Sequence, residues 1–394
     1  MINEKMYGLG STRSKIRELF EYGKILAQKI GSENVFDYTL GNPSVPCPSE
    51  VTDTIIEEVK NPKIHGYTSA QGTIEAREAI CEYNYKKYGF KLSKDLTYLT
   101  CGAAAGLAIS LRALISSDSE KVLTFAPFFP EYKVFTENAG GSLLVSKCDE
   151  TTFDIDFAEL EKTITSDVQA VIINSPNNPS GSVYSEESII KLAKFLNDKQ
   201  KEYGHAIYLI SDEPYREILF DGALCPFIPN YYDNTVVCYS YSKALSIPGE
   251  RIGYVSVSPK AENAEKLYLA IAGAGRSLGY VCAPALFQKI IEKCVDKVSD
   301  SSVYRDNRDL LVEKLTSLGF ECLNPKGAFY IFMKSPISDA EEFSDIAKTF
   351  GLLVVPSNSF GINGYVRLAT CVSPELIKRS LPAFEKLAKE FKLI

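Results

Sequence analysis

The chain predicts an α/β fold, with a large domain built on a mostly parallel β-sheet and a smaller α+β domain beside it. Three observations lead there. Between about residues 50 and 285, short runs that are apolar throughout alternate with helical patterns, and strands of that kind belong in a sheet covered by helices on both faces. After about residue 290 the alternation gives way to longer helices with a few strands. At 394 residues the chain also exceeds what one hydrophobic core fills.

The elements follow in order. Residues 13–31 predict an amphipathic helix, with Ile16, Leu19, Phe20, Ile25, Leu26 and Ile30 at helical spacing. Residues 37–48 are a Gly/Pro-rich extended stretch. Apolar strands are expected at 97–100, 121–125, 143–145, 170–174, 206–210, 236–239 and 253–257. A long helix is expected over 290–318, a strand within 327–332, a helix near 340–350, two short strands, and a C-terminal helix over about 374–391. The expected division is 50–287 for the large domain, with 1–49 and 288–394 forming the small one. There is no internal repeat or low-complexity tract.

Bulk properties exclude several classes. The net charge of −7 argues against nucleic acid or an anionic membrane as partner. No apolar run reaches the roughly 18 residues of a membrane span, and the N-terminus, from Met1 to Lys5, lacks the apolar core of a secretion signal. Ten scattered cysteines without a Cys-x-x-Cys pair predict neither zinc nor a disulfide framework, and place the chain in a reducing cytoplasm. Only His65 and His205 are available for imidazole chemistry, so no metal site is expected.

In parallel sheets, ligands sit at the carboxyl ends of the strands, so the polar residues there carry the functional reading. Ser240, Ser242, Lys243 and Arg251 follow one strand and precede another. A lysine walled in by apolar strands favours its neutral form, which attacks carbonyls to form a Schiff base. Two hydroxyls and a guanidinium suit a phosphate; a solvated loop lysine is the plainer alternative. Aldehyde and phosphate together suggest pyridoxal phosphate.

The run Asn174-Ser175-Pro176-Asn177-Asn178-Pro179-Ser180-Gly181 makes a rigid turn that aims an amide into a crevice, or is an ordinary strand–helix turn. Asp212 and Tyr215 can face a ring nitrogen and a ring hydroxyl, or start a helix as cap and first-turn residues. Gly102, Ala103 and Ala104 open a helix with small residues, suiting a phosphate or simple close packing. Phe129 follows a strand and either stacks on a flat ring or fills the core. Arg367 sits in an apolar strand, holding a substrate carboxylate or lying on a wet edge.

In this order, these segments resemble the fold-type I pyridoxal-phosphate aminotransferases of classes I and II, of the aspartate aminotransferase kind. The resemblance runs from about residue 13 to the end and implies a seven-stranded, mostly parallel sheet. It implies that Lys243 is the Schiff-base lysine and proton shuttle, and that Asp212 pairs with the pyridinium nitrogen. Tyr215 and Asn178 would donate to the ring's phenolic oxygen, and Phe129 would stack on the ring. Ser240, Ser242, Arg251 and the helix start at Gly102, Ala103 and Ala104 would cup the phosphate. Gly41 and Arg367 would hold the substrate α-carboxylate, with Asn178 beside them. Tyr67 would reach the phosphate of the neighbouring subunit, which requires a homodimer with shared sites. Arg276 would read a distal carboxylate across the same interface.

The implied reaction exchanges an amino group between an amino acid, aspartate or another common one, and a 2-oxo acid such as 2-oxoglutarate, by a ping-pong sequence. Two positions depart from the pattern. Phe129 stands where many relatives have Trp or Tyr, and Ala104 stands where some relatives acting on acidic substrates have a basic or hydroxyl residue. The alternatives are a carbon–sulfur lyase or a histidinol-phosphate aminotransferase on the same fold, and, more remotely, a non-catalytic sensor domain.

Overall fold

The computed structural model describes residues 2–11 and 14–394. Its strands, among the described residues, are β1 (Phe36–Asp37), β2 (Thr97–Thr100), β3 (Lys121–Phe125), β4 (Ser142–Ser146), β5 (Val168–Asn174), β6 (Tyr208–Asp212), β7 (Thr235–Ser240), β8 (Gly253–Val257), β9 (Tyr330–Lys334), β10 (Leu352–Leu353), β11 (Val355–Pro356) and β12 (Tyr365–Ala369). Seven of them form one sheet in the order β2-β8-β7-β6-β5-β3-β4. Only β8 runs antiparallel to its neighbours.

Continuous apolar strands fit this sheet because both of its faces are covered. Every residue of β7 and β8 is buried. Val236 and Cys238 enter the core on one face with Leu107, Leu111 and Tyr132. Val237 and Tyr239 point the other way, into a core with Ile80, Tyr254 and Phe287. The register places Asn174 beside Asp212 and Asp212 beside Cys238. The carboxyl ends of β5, β6 and β7 therefore converge on one crevice, where ligands of open α/β sheets bind.

A second, antiparallel sheet has the order β11-β12-β9. The N-terminal extended stretch joins it through β1, which pairs in parallel with β10. Tyr38 then donates its amide to Leu353 O and accepts from the Ala369 amide. This brings residues 39–41 over the end of β12.

One expectation about helices needs correction. The helix expected over 290–318 is two helices, Ala285–Cys294 and Ser302–Ser317. The break falls at a run of side chains that compete for backbone groups: Asp300 Oδ1 accepts from the Ser302 amide at 2.9 Å, and the Ser299 amide donates to Ala244 O at 2.7 Å. The helix expected from residue 13 runs from Lys15 to Ile30, residue 13 itself lying outside the described residues. An earlier helix, Glu4–Ser11, was not foreseen because it carries two glycines and buries no residue.

All ten cysteines are free thiols. Among the described residues, no helix is long and apolar enough to cross a membrane, and no group of three or more His, Cys, Asp or Glu side chains could hold a metal.

Just past β6, Glu213 and Arg216 form an ion pair buried against the sheet. Glu213 also accepts from Ser211 Oγ at 2.7 Å. The guanidinium carbon lies 4.4 Å from the Tyr239 ring centroid and 5.0 Å from that of Tyr88. Removing one partner of a buried pair strands the other charge, at about 3–5 kcal/mol. Arg216→Met is therefore expected to lose that much stability in urea unfolding, and Glu213→Gln in the same chain to recover part of it. Equal midpoints for Arg216→Met and the parent chain would contradict this account.

Candidate active site

The crevice at the strand ends is a cavity of about 290 Å³. Lys243 enters it from a one-turn helix, Tyr241–Ala244, directly after β7. Ser240 caps that turn, its Oγ accepting from the Ser242 amide at 3.3 Å. Lys243 Nζ donates to Gly41 O at 2.6 Å. Burial lowers its pKa from 10.5 to about 8, and the cations Arg251 and Arg367 push the same way. An appreciable fraction of the amine is therefore neutral near neutral pH, as a nucleophile or base requires.

Asp212 closes β6 at the floor of the cavity. Its Oδ2 accepts from Tyr132 Oη at 2.5 Å, and its backbone carbonyl accepts from Asn174 Nδ2 at 2.8 Å. Its Oδ1 is buried with no partner among the described residues. Burial raises its pKa from 3.8 to about 7; the Tyr132 bond opposes the rise and Glu213 adds to it. A buried oxygen without a partner calls for a donor. A protonated heterocyclic nitrogen is such a donor, and it would also favour the carboxylate's charged form.

The other end of the cavity suits an anion. Ser242 Oγ accepts from Ser240 Oγ at 2.8 Å and from Arg251 Nη1 at 3.3 Å. Arg251 Nη2 donates to Cys101 O at 3.3 Å. Gly102, at φ +81°, caps the 12-residue helix Ala103–Leu114. A Cβ at residue 102 would lie 2.7 Å from Arg251 Nη2, so the glycine lets guanidinium and helix start close on the same space. Ala103 and Ala104 line that space, where a helix N-terminus favours negative charge. Phe129, half-buried, provides an aromatic wall with its ring edge-on to Tyr132.

Arg367 reaches the cavity from β12, in the other sheet. It is 2% exposed, so the wet-edge alternative is excluded. Its Nη1 donates to Asn178 Oδ1 at 2.9 Å and its Nη2 to Thr39 O at 2.5 Å. Its Nε is buried without a partner among the described residues. Asn178 is held in turn by its amide, which donates to Asn174 Oδ1 at 2.8 Å. Tyr215 lies alongside, its hydroxyl 2.9 Å from that of Tyr330.

The chain thus brings Gly41, Ala103, Ala104, Phe129, Asn178, Asp212, Tyr215, Ser240, Ser242, Lys243, Arg251 and Arg367 to one cavity, with Gly102 just behind. It does not bring Tyr67 or Arg276 there. Tyr67 is fully exposed, and Arg276 is exposed in the last turn of the helix Ala264–Leu278. The sequence reading passed over Ile16, Tyr132, Asn174 and Tyr330. Asn174 carried a signal, since it ends a strand as Asp212 does. Tyr132 and Tyr330 stood in aromatic runs where no local feature separates a site residue from a core one.

An amine of lowered pKa and a carboxylate with one partnerless oxygen, sharing a cavity with an anion cup and a buried guanidinium, suit an enzyme acting on amino or carbonyl groups. The family model for aminotransferase class I and II matches residues 33–384, and the chain belongs to that family; it is a transaminase. It is 29% identical to the aspartate aminotransferase of Pyrococcus horikoshii, covering 95% of this chain and 94% of that one. It is equally identical to aromatic-amino-acid aminotransferase 2 of Thermococcus litoralis, over 97% of each. Among solved structures, an amino transferase from Eubacterium rectale superposes with a TM-score of 0.97 at 52% identity, over 99% of both chains. An aspartate aminotransferase from Thermotoga maritima gives 0.86 at 26%, over 98% and 99%.

The raised Asp212 pKa has a measurable consequence in ligand-free protein. Between 3.8 and about 7 the folded chain keeps a proton on Asp212 that the unfolded chain has lost. Stability therefore falls as pH rises through that window, and the full cost stands above it. Asp212→Asn removes the titration. Thermal unfolding of the ligand-free protein from about pH 5 to about pH 8 is expected to show the variant gaining on the parent chain. A constant difference would mean that Asp212 ionises normally.

Proposed function

We propose that this transaminase binds pyridoxal 5′-phosphate and passes an amino group between an L-amino acid, aspartate or another common one, and a 2-oxo acid such as 2-oxoglutarate, in ping-pong fashion. The observation that carries this reading is that Lys243 and Asp212 line one cavity, the amine's pKa lowered to about 8 and one carboxylate oxygen left without a partner. When bound, the cofactor supplies an aldehyde that takes up the amino group and a ring that withdraws electrons from the substrate's α-carbon.

The chain's own residues do the rest. Asp212 Oδ1 would accept a hydrogen bond from the protonated ring nitrogen and so hold the proton on that nitrogen. Ser240, Ser242, Arg251 and the amides at the start of the helix Ala103–Leu114 would hold the phosphate. Phe129 would cover one ring face, and Tyr215 with Asn178 would donate to the ring oxygen. Arg367 would hold the α-carboxylate against Gly41. Lys243 Nζ would remove the α-proton and return it to the cofactor carbon, a transfer favoured by a pKa near working pH.

Substrate choice rests on fewer observations. Ala104 and Ile16 give the cavity apolar walls, which support a neutral side chain. Arg276 and Tyr67 support a homodimer with shared sites, in which each serves the neighbouring subunit. Relatives named for aspartate and for aromatic amino acids fit either choice.

Two experiments test the reading. Borohydride treatment of the cofactor-loaded protein is expected to fix the cofactor to Lys243, and Lys243→Ala to lose the visible absorbance; a label elsewhere removes the basis of the proposal. Arg367→Ala is expected to lower kcat/KM for every amino acid by about 30- to several-thousand-fold, the cost of truncating a buried charged pair. Arg276→Ala is expected to lower it for aspartate and glutamate only. Equal losses on aspartate and alanine would end the specificity role of Arg276 and favour neutral substrates.

A further inference from the structure

Tyr330 has a place in the cavity that no role above uses. It opens β9, and the antiparallel register sets it opposite Ala369, two residues from Arg367 on β12. Diagonal neighbours on one sheet face are within reach of an aromatic ring, and the Tyr330 ring centroid lies 4.6 Å from the Arg367 guanidinium carbon. The residue is 2% exposed, yet it lines the cavity. Its hydroxyl is pressed against Gly41: a Cβ on residue 41 would fall 1.9 Å from that oxygen.

Proton counting decides what the hydroxyl does. The Tyr215 and Tyr330 oxygens are 2.9 Å apart, so one hydrogen lies between them and the other must point elsewhere. On its Gly41 side the Tyr330 hydroxyl leaves no room even for a methyl group, and each of the two hydroxyls has only the other as hydrogen-bond partner among the described residues. Burial pushes the Tyr330 pKa up to about 12, so it keeps its proton. If Tyr215 donated to Tyr330, the Tyr330 hydrogen would be buried without an acceptor, an arrangement native interiors avoid. With Tyr330 donating, the Tyr215 hydrogen is the one left over, and the ring oxygen of the proposed cofactor is the acceptor it would meet in the cavity.

We infer that Tyr330 is a positioning residue: by donating to Tyr215 it directs the Tyr215 proton into the cavity, toward the ring oxygen of the cofactor. This rests on the proposed cofactor. A donor to that oxygen stabilises its negative charge and weakens its hold on the neighbouring nitrogen's proton. Loss of the Tyr330 hydroxyl therefore raises the pH at which that proton leaves.

The test uses the cofactor-loaded enzyme. The visible band is titrated with pH in the parent chain, Tyr330→Phe, Tyr215→Phe and the double variant. Tyr330→Phe keeps the ring beneath Arg367, so KM is expected to stay within about twofold while kcat falls about ten- to a hundredfold. The band's midpoint is expected to rise in Tyr330→Phe, and Tyr330→Phe is expected to add nothing once Tyr215 is Phe. An unchanged or lowered midpoint overturns the inference, as does a second full shift in the Tyr215→Phe background. Should Tyr330→Phe fail to fold, Tyr330→Met, which fills the space without a hydroxyl, carries the same test and is expected to raise the midpoint. A parent chain that takes up no pyridoxal phosphate, or is not labelled at Lys243, overturns this inference together with the function it rests on. A labelled parent with unshifted variants overturns the inference alone.

Discussion

Charges without water around them need partners, and the site depends on how few partners this cavity gives to two of them. Asp212 has one hydroxyl donor, from Tyr132, and one carboxylate oxygen with none. Lys243 has one carbonyl, from Gly41. Burial moves the carboxyl up and the amine down, so both titrate within the range where enzymes work. Water on either group would return it to ordinary behaviour. Phe129, Leu107 and Ile16 give the same cavity apolar walls.

Parallel-strand geometry then explains why the acid lies where it does. Along β6 and just beyond, successive side chains alternate across the sheet. Asp212 turns toward Tyr132, in the core beneath the helix Ala103–Leu114. Glu213 turns away and meets Arg216, which is stacked among Tyr88, Phe227 and Tyr239. Two adjacent carboxylates are thus separated in role by the pleat: one has a cation and the other lacks one. The fully paired Glu213 anchors the segment on which the unpaired Asp212 depends.

The second sheet supplies what the first cannot. Arg367 is oriented by Asn178, in the turn just past β5 of the large sheet, and by Thr39 from the N-terminal stretch. The pairing of β1 with β10 holds that stretch in place. Gly41 belongs to the same stretch, and its carbonyl meets Lys243. Its missing side chain makes room for the Tyr330 hydroxyl. Three separated parts of the chain therefore close one cavity, and a methyl group at residue 41 would disturb all of them.

The sequence by itself determined the alternation of strands and helices, the covered sheet, and the strand ends where Asn178, Asp212, Lys243 and Arg251 stand. Those signals are local: continuous apolar runs, turn residues, and a polar group just past each run. Local patterning also misled once, over 290–318, where helical spacing hid the Ser/Asp run that breaks the helix. Tertiary structure alone decided which aromatics serve the site, because nothing within a few residues marks them. Tyr132 meets Asp212 across 80 positions and Tyr215 meets Tyr330 across 115. Such pairs are set by strand order, register and the docking of one sheet against another. Those depend on the whole chain's packing, and no local stretch of sequence contains that information.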